Sequence, residues 1–133
     1  MVLLLARLGR DHGAARDSGQ WLFDLFCRDL DANLREMGMG DLAVPKQMRR
    51  FGEAFYGRQA AYCAAFAAAD ERELENALAR NIFQGENGRG ASRLARFARA
   101  ALRQFETDEE SVLLRGEAIF PDPDAIAEAV IHD

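Results

Sequence analysis

Histidine and cysteine are both scarce in this sequence, and each shortage excludes something. The two histidines, His12 and His132, fall in a predicted loop and at the terminus, leaving no histidine-based metal cluster, haem-ligand pair or general base. The two cysteines, Cys27 and Cys63, lie far apart within predicted helices and lack the paired spacing of a zinc or redox motif, so both read as reduced, buried thiols of a cytoplasmic protein. An excess of positive charge is also missing. The formal charge of −5 favours solubility and argues against generic attraction to DNA, other nucleic acid or anionic membranes, although a local basic patch stays open. Long apolar runs are absent: Val2–Leu5 is followed at once by Ala6 and Arg7, far short of the roughly 20 residues needed to span a bilayer. No signal-peptide cleavage site follows it. The glycines between Gly85 and Gly90 lack the Gly-Lys-Ser/Thr ending of a phosphate loop. The expectation is a protein without catalytic, metal or cofactor site that works by binding.

What is plentiful is alanine, leucine and arginine, with few β-branched residues, and this composition favours helix over sheet. The 133 residues suit one domain, and the fold expected is an all-α, single-domain bundle of about five or six helices without a sheet. The abrupt apolar start reads as a helix entered partway, as in a chain truncated at its N-terminus, and residues 2–9 as core helix. A long helix is predicted from about Ala14 to Met37, with Gly38 as its left-handed cap. Pro45 suits the first turn of the next helix, which runs to about Ala68. Asp70 and Glu73 form a capping box for a shorter helix to Phe83; Gly85–Gly90 reads as a loop. Ser92 reads as the N-cap of a helix to Phe105, and Thr107 with Glu110 as a second capping box. Phe120-Pro-Asp-Pro123 stops helix formation, and residues 117–133 read as a loosely docked tail.

Certain polar residues stand where apolar ones are expected. At roughly 100° per residue, Leu22, Leu25, Phe26, Leu30, Leu34 and Met37 mark the buried face of the long helix, and Asp29, Asn33 and Glu36 fall in the same arc. Buried without partners, polar groups cost roughly 1 to 3 kcal/mol each and charged ones more. Either they pair inside the fold or they line a polar groove for a partner. On the next helix Met48, Phe51, Phe55, Tyr62 and Phe66 form an aromatic core stripe. Lys46, Arg49, Glu53 and Tyr56 recur on another face, beside Gly52 and Gly57. Mid-helix glycines cost about 1 kcal/mol each relative to alanine, so they imply close approach by an internal helix or a bound partner. Lys46 is the sole lysine beside sixteen arginines, a weak sign that its ammonium matters. Arg93, Arg96, Arg99 and Arg103 form a basic stripe, which reads as a solvated helix face or a contact for ribosomal RNA.

The stretch Asp29-Leu-Asp-Ala-Asn-Leu-Arg-Glu-Met-Gly-Met-Gly-Asp-Leu-Ala-Val-Pro-Lys46, continuing to Glu53-Ala-Phe-Tyr-Gly-Arg58, resembles the ubiquinol-cytochrome c chaperone family. The likeness is close over residues 21–58 and looser at Asn81–Phe83 and Phe120–Pro123. It implies an all-helical, non-enzymatic assembly factor for ubiquinol-cytochrome c reductase, with newly made cytochrome b as client. The ribosome or a second assembly factor are further partners it suggests, and the membrane is reached only through the client. The family motif falls on Asp29, Asn33, Leu34, Arg35, Glu36, Gly38, Gly40, Asp41, Pro45, Lys46, Tyr56, Gly57 and Arg58. With Arg49 and Glu53 from the exposed stripe, the expected partner-binding residues are Asp29, Asn33, Arg35, Glu36, Gly38, Asp41, Pro45, Lys46, Arg49, Glu53, Tyr56 and Arg58. The expected location is cytoplasmic, at the inner face of a bacterial inner membrane. The alternative is a ribosome- or RNA-associated helical regulator using the arginine stripe.

Overall fold

The computed structural model describes residues 1–10, 13–70, 72–85 and 88–128; His12 and His132 lie outside the described residues. Within them the chain forms helices and no strand: α1 (Val2–Leu8), α2 (Ala14–Glu36), α3 (Ala43–Ala67), α4 (Arg72–Ile82), α5 (Arg89–Thr107), α6 (Glu110–Leu114) and α7 (Pro123–Glu128). Five of these have seven residues or more, and the all-α bundle expected from composition is what forms.

The apolar opening of the chain is the pivot of the core. Leu8 is buried with Ala15, Phe105 and Leu113, while Val2 and Leu3 pack on a second cluster formed by Tyr62, Ala65, Leu74, Ala77, Leu78, Ala95 and Ala98. Leu3 touches both clusters, so α1 joins them. Among the described residues, eight of the eighteen buried apolar ones are alanine, so the interior is filled largely by helix backbones drawn close together. Gly19 serves the same end, since a Cβ there would stand 3.3 Å from Leu8 Cβ.

Local signals explain where the helices stop. Gly38, at φ +86°, sits one residue beyond the α2 C-cap, and its amide donates to the Arg35 carbonyl while the Met39 amide donates to the Leu34 carbonyl. This double bond pattern satisfies carbonyls that the helix end would leave open. Pro45 lies in the first turn of α3, where its missing amide hydrogen costs nothing. The Asp70 carboxylate accepts the Arg72 amide at the start of α4.

Other expected signals are overruled by packing. α5 begins at Arg89, three residues before the expected cap at Ser92, so Ser92 lies inside the helix. Gly90 is therefore helical, and it is small because a Cβ would lie 2.8 Å from Phe83 Cε1. Thr107 ends α5 and donates to the Gln104 carbonyl, and Glu109 rather than Thr107 is the N-cap of α6, with no side-chain cap hydrogen bond. Cys63 is exposed and Cys27 half-buried, so neither is the fully buried thiol expected. Partial burial and the nearby Asp24 carboxylate push the Cys27 thiol pKa up, disfavouring its thiolate.

A candidate partner-binding surface on the helical arm

The buried face of α2 is Ala15, Gly19 and Phe23, not the stripe from Leu22 to Met37 read from the sequence. Leu22, Leu25, Leu30 and Leu34 are half-buried, and Met37 is 83% exposed. No residue between Phe23 and Val44 is buried, so this stretch of α2 and its connection to α3 stand outside the main core. α2 and α3 hold together through aromatic rings. Phe23 meets Phe55 and Tyr56 at centroid distances of 4.9 and 5.2 Å, and Phe26 meets Phe51 at 5.7 Å. Ring pairs of this kind add about 0.5–1.5 kcal/mol each beyond area burial, which suits an arm with little other core.

This geometry removes the expected paradox of the polar stripe. Asp29, Asn33 and Glu36 are exposed and make no side-chain hydrogen bond among the described residues, so the cost of burying them never arises. Arg35 and Asp41 have a local task instead. The Arg35 Nε donates to Asp31 at 2.6 Å and its Nη1 to Asp41 at 2.5 Å, so one guanidinium braces the helix end against the connection. Hydrogen bonding to Asp31 and the attraction of both carboxylates raise the Arg35 pKa further above its ordinary value.

Lys46, Arg49, Glu53 and Tyr56 are all exposed on α3, as their spacing predicts. At 100° per residue Gly52 and Gly57 flank this stripe on its two sides. A Cβ at either glycine would meet nothing within 4 Å, so internal helix packing is not the reason for them. At its Tyr56 end the stripe opens into a cleft of about 320 Å³, lined also by Leu5, Gly9, Arg16, Asp17, Gly19, Gln20, Phe23 and Gln59. Leu5, Gly9 and Gln59 also border a cleft of about 410 Å³ that continues to Cys63 and Phe66. Sequence reasoning missed Gln20, Phe23 and Gln59. The four-residue spacing of Ala15, Gly19 and Phe23 was the signal that could have found this floor.

The two stripes do not line one groove. On α2, the flank bordering Tyr56 carries Asp17, Gln20, Asp24, Cys27 and Asp31; Asp29, Asn33 and Glu36 fall on roughly the opposite flank. Arg58 likewise lies away from the Lys46 stripe.

Half of the arginine stripe of α5 is tied into the fold: Arg93 and Arg103 are exposed, as a solvated face requires, whereas Arg96 and Arg99 are engaged. Arg96 is half-buried and donates to Ser92 Oγ at 2.9 Å, while Ser92 donates to Glu75 at 3.0 Å. Arg99, also half-buried, lies over the Phe66 ring at 6.0 Å and reaches the Ala65 carbonyl at 3.4 Å. Replacing Arg96 and Arg99 with glutamine is accordingly expected to lower stability by about 1–3 kcal/mol, through lost packing and unmade hydrogen bonds. A urea midpoint unchanged from the parent would refute that assignment.

The two looser motif stretches also meet. Phe83, Phe120, Pro121, Asp122 and Pro123 line an apolar cleft of about 810 Å³ with Gly90, Arg93, Leu94 and Phe97. Phe120 stacks on Phe97 and meets Phe105 edge-on at 5.1 Å, fixing the segment before α7 to α5.

A helical body with an exposed two-helix arm and clefts at the arm's base is the all-helical class that the fold defines. The chain belongs to the ubiquinol-cytochrome C chaperone family, whose model matches residues 1–120. Its structure is similar to the crystal structure of the Cbp3 homolog from Brucella abortus. The TM-score is 0.79 at 33% identity, over 92% of this chain and 68% of that one. A comparison with curated proteins gives no match. Family membership supports a reductase-assembly role and implies a non-enzymatic one with a protein client.

Proposed function

We propose that the protein holds newly made cytochrome b during assembly of ubiquinol-cytochrome c reductase, seating a client segment along Lys46, Arg49, Glu53 and Tyr56. The observation that carries this reading is the pair of mid-helix glycines whose missing side chains face open space. Each costs about 1 kcal/mol of helix stability relative to alanine, and nothing among the described residues uses the gap. A partner helix approaching the α3 backbone would use it. The cleft beyond Tyr56 continues the surface with an apolar floor of Leu5 and Phe23 and amide rims at Gln20 and Gln59, which suits an apolar client with exposed backbone or polar ends.

The α2 stripe of Asp29, Asn33 and Glu36 is a second surface of the same arm. Its charge and its place on the other flank fit a soluble second assembly factor better than a membrane-protein client. The ribosome reading has less support, because Arg96 and Arg99 are engaged inside the fold and only Arg93 and Arg103 of the stripe are exposed. The work takes place on the cytoplasmic side, where the client enters the membrane.

Gly52→Ala with Gly57→Ala is expected to raise stability by about 1 kcal/mol per site, while weakening capture of cytochrome b at least about tenfold, or 1.4 kcal/mol. Lys46→Gln should leave stability unchanged or slightly higher, because a cation near a helix N-terminus opposes the helix dipole, and should also weaken capture. Both can be read by co-purification of tagged cytochrome b with the chaperone. Undiminished capture by both variants, with the stability gain present, would remove the client from this face.

A further inference from the structure

The far end of the arm carries exposed apolar side chains that lie outside the proposed client stripe. Met37 and Leu42 are 83% and 95% exposed, among the most exposed large apolar side chains of the described residues, and both sit at the connection between α2 and α3. Gly38 and Gly40 lie between them, on either side of the half-buried Met39. Large apolar side chains in such exposed positions at a loop tip serve no packing purpose within this chain.

The charge around this tip departs from that of the molecule. The whole chain carries −5, yet residues 35–50 hold four cations, Arg35, Lys46, Arg49 and Arg50, against two carboxylates, Glu36 and Asp41. Asp41 is already paired with Arg35, whereas Lys46, Arg49 and Arg50 are exposed and have no ion pair among the described residues. The tip thus combines protruding apolar side chains with adjacent unneutralised cations, while the body keeps the excess of negative charge.

We infer that the tip of the α2–α3 arm docks directly on an anionic lipid surface, with Met37 and Leu42 entering the headgroup region and Lys46, Arg49 and Arg50 facing lipid phosphates. Apolar side chains gain by leaving water, and basic side chains beside a negatively charged bilayer add an attraction that falls with salt. The negative body is repelled by the same surface, so only the arm tip approaches it, and the molecule is oriented end-on. Contact of this size is weak and reversible. It concentrates the protein at the surface without anchoring it, and because it shares Lys46 and Arg49 with the proposed client stripe, its test uses vesicles without any client.

The test uses the full chain and protein-free vesicles, with cosedimentation as readout. Vesicles of phosphatidylglycerol mixed with phosphatidylcholine should bind the protein, pure phosphatidylcholine vesicles about tenfold less, and raising the salt should release it. Met37→Ser with Leu42→Ser should reduce binding to the anionic vesicles at least fivefold. These side chains touch little, so a circular dichroism melt should show the variant folded as the parent. Lys46→Gln, Arg49→Gln and Arg50→Gln together should abolish the salt-sensitive part. Absence of binding to anionic vesicles would overturn the inference. So would binding that both variants retain. If the tip pair instead leaves vesicle binding unchanged and abolishes capture of cytochrome b in detergent, the tip is a protein-docking element and the lipid assignment is wrong.

Discussion

Converting Asp29, Asn33 and Glu36 together to alanine is expected to stop assembly of the reductase while leaving the chaperone folded, with a melting temperature equal to or a few degrees above the parent. The stability half follows from exposure. None of the three side chains is buried or hydrogen-bonded among the described residues, so truncation breaks nothing in the fold. Aspartate and asparagine are among the poorer helix formers, and Glu36 places a negative charge at the C-terminal end of α2, where the helix dipole disfavours it. Alanine relieves both, for a gain of about 1 kcal/mol in total. The functional half follows because residues selected for binding need not be optimal for folding. The stripe lies on the flank away from Tyr56, so purified protein should still capture cytochrome b while the second factor no longer joins. Reductase levels in a bacterial strain carrying only the variant give the first readout, and co-purification gives the second. Normal reductase levels would leave the stripe as a solvated helix face, and a substantial fall in melting temperature would return it to the architecture.

The sequence was legible where a single residue type has one physical job. Gly38 announces the end of α2 because its position needs φ near +86°, and Pro45 marks a first turn because it lacks an amide hydrogen. The opening Val2–Leu8 was readable as core from its apolar run alone. The face of α2 was not readable. Periodicity reports which side of a helix is apolar, but not which part of its length another element covers. The covered half is lined by Ala15, Gly19 and Phe23, two of them too small to register as a hydrophobic stripe. Ser92 misled for a related reason: good cap chemistry is overruled when Gly90 can pack on Phe83 and begin the helix earlier. The partner-binding stripe on α3 was visible as a spacing. What the sequence could not supply was its separation from the α2 stripe, because the flanks of two antiparallel helices are assigned only once their contact face is known.

Phe105→Ala is expected to be the most damaging single truncation, at about 3–5 kcal/mol, a large share of the 5–15 kcal/mol typical of a whole domain. Phe105 is 0% exposed and is among the largest fully buried side chains of the described residues. It stands where α1, α2, α5 and α6 converge, against Leu8, Ala15 and Leu113, with Phe120 edge-on at 5.1 Å. Its carbonyl accepts the Arg7 Nε at 3.0 Å, which ties α1 to α5 at the same point. Leu8, Leu113 and Phe120 are each held by their own element, so they can move only part of the way into the vacated volume and much of the cavity term is retained. Phe120→Ala removes the partner ring but, at 43% exposure, vacates less buried space. It should cost about 1–2 kcal/mol. Urea unfolding of the two variants sets the order: a Phe105→Ala loss no larger than that of Phe120→Ala would mean that the core does not close around Phe105. The arm is held by a different set of rings, Phe23, Phe26, Phe51, Phe55 and Tyr56. Client capture by Phe105→Ala, measured in the cold and expressed per folded molecule, should therefore stay within about threefold of the parent, or some 0.65 kcal/mol, because the truncation weakens the body that carries the arm without altering the surface the arm presents.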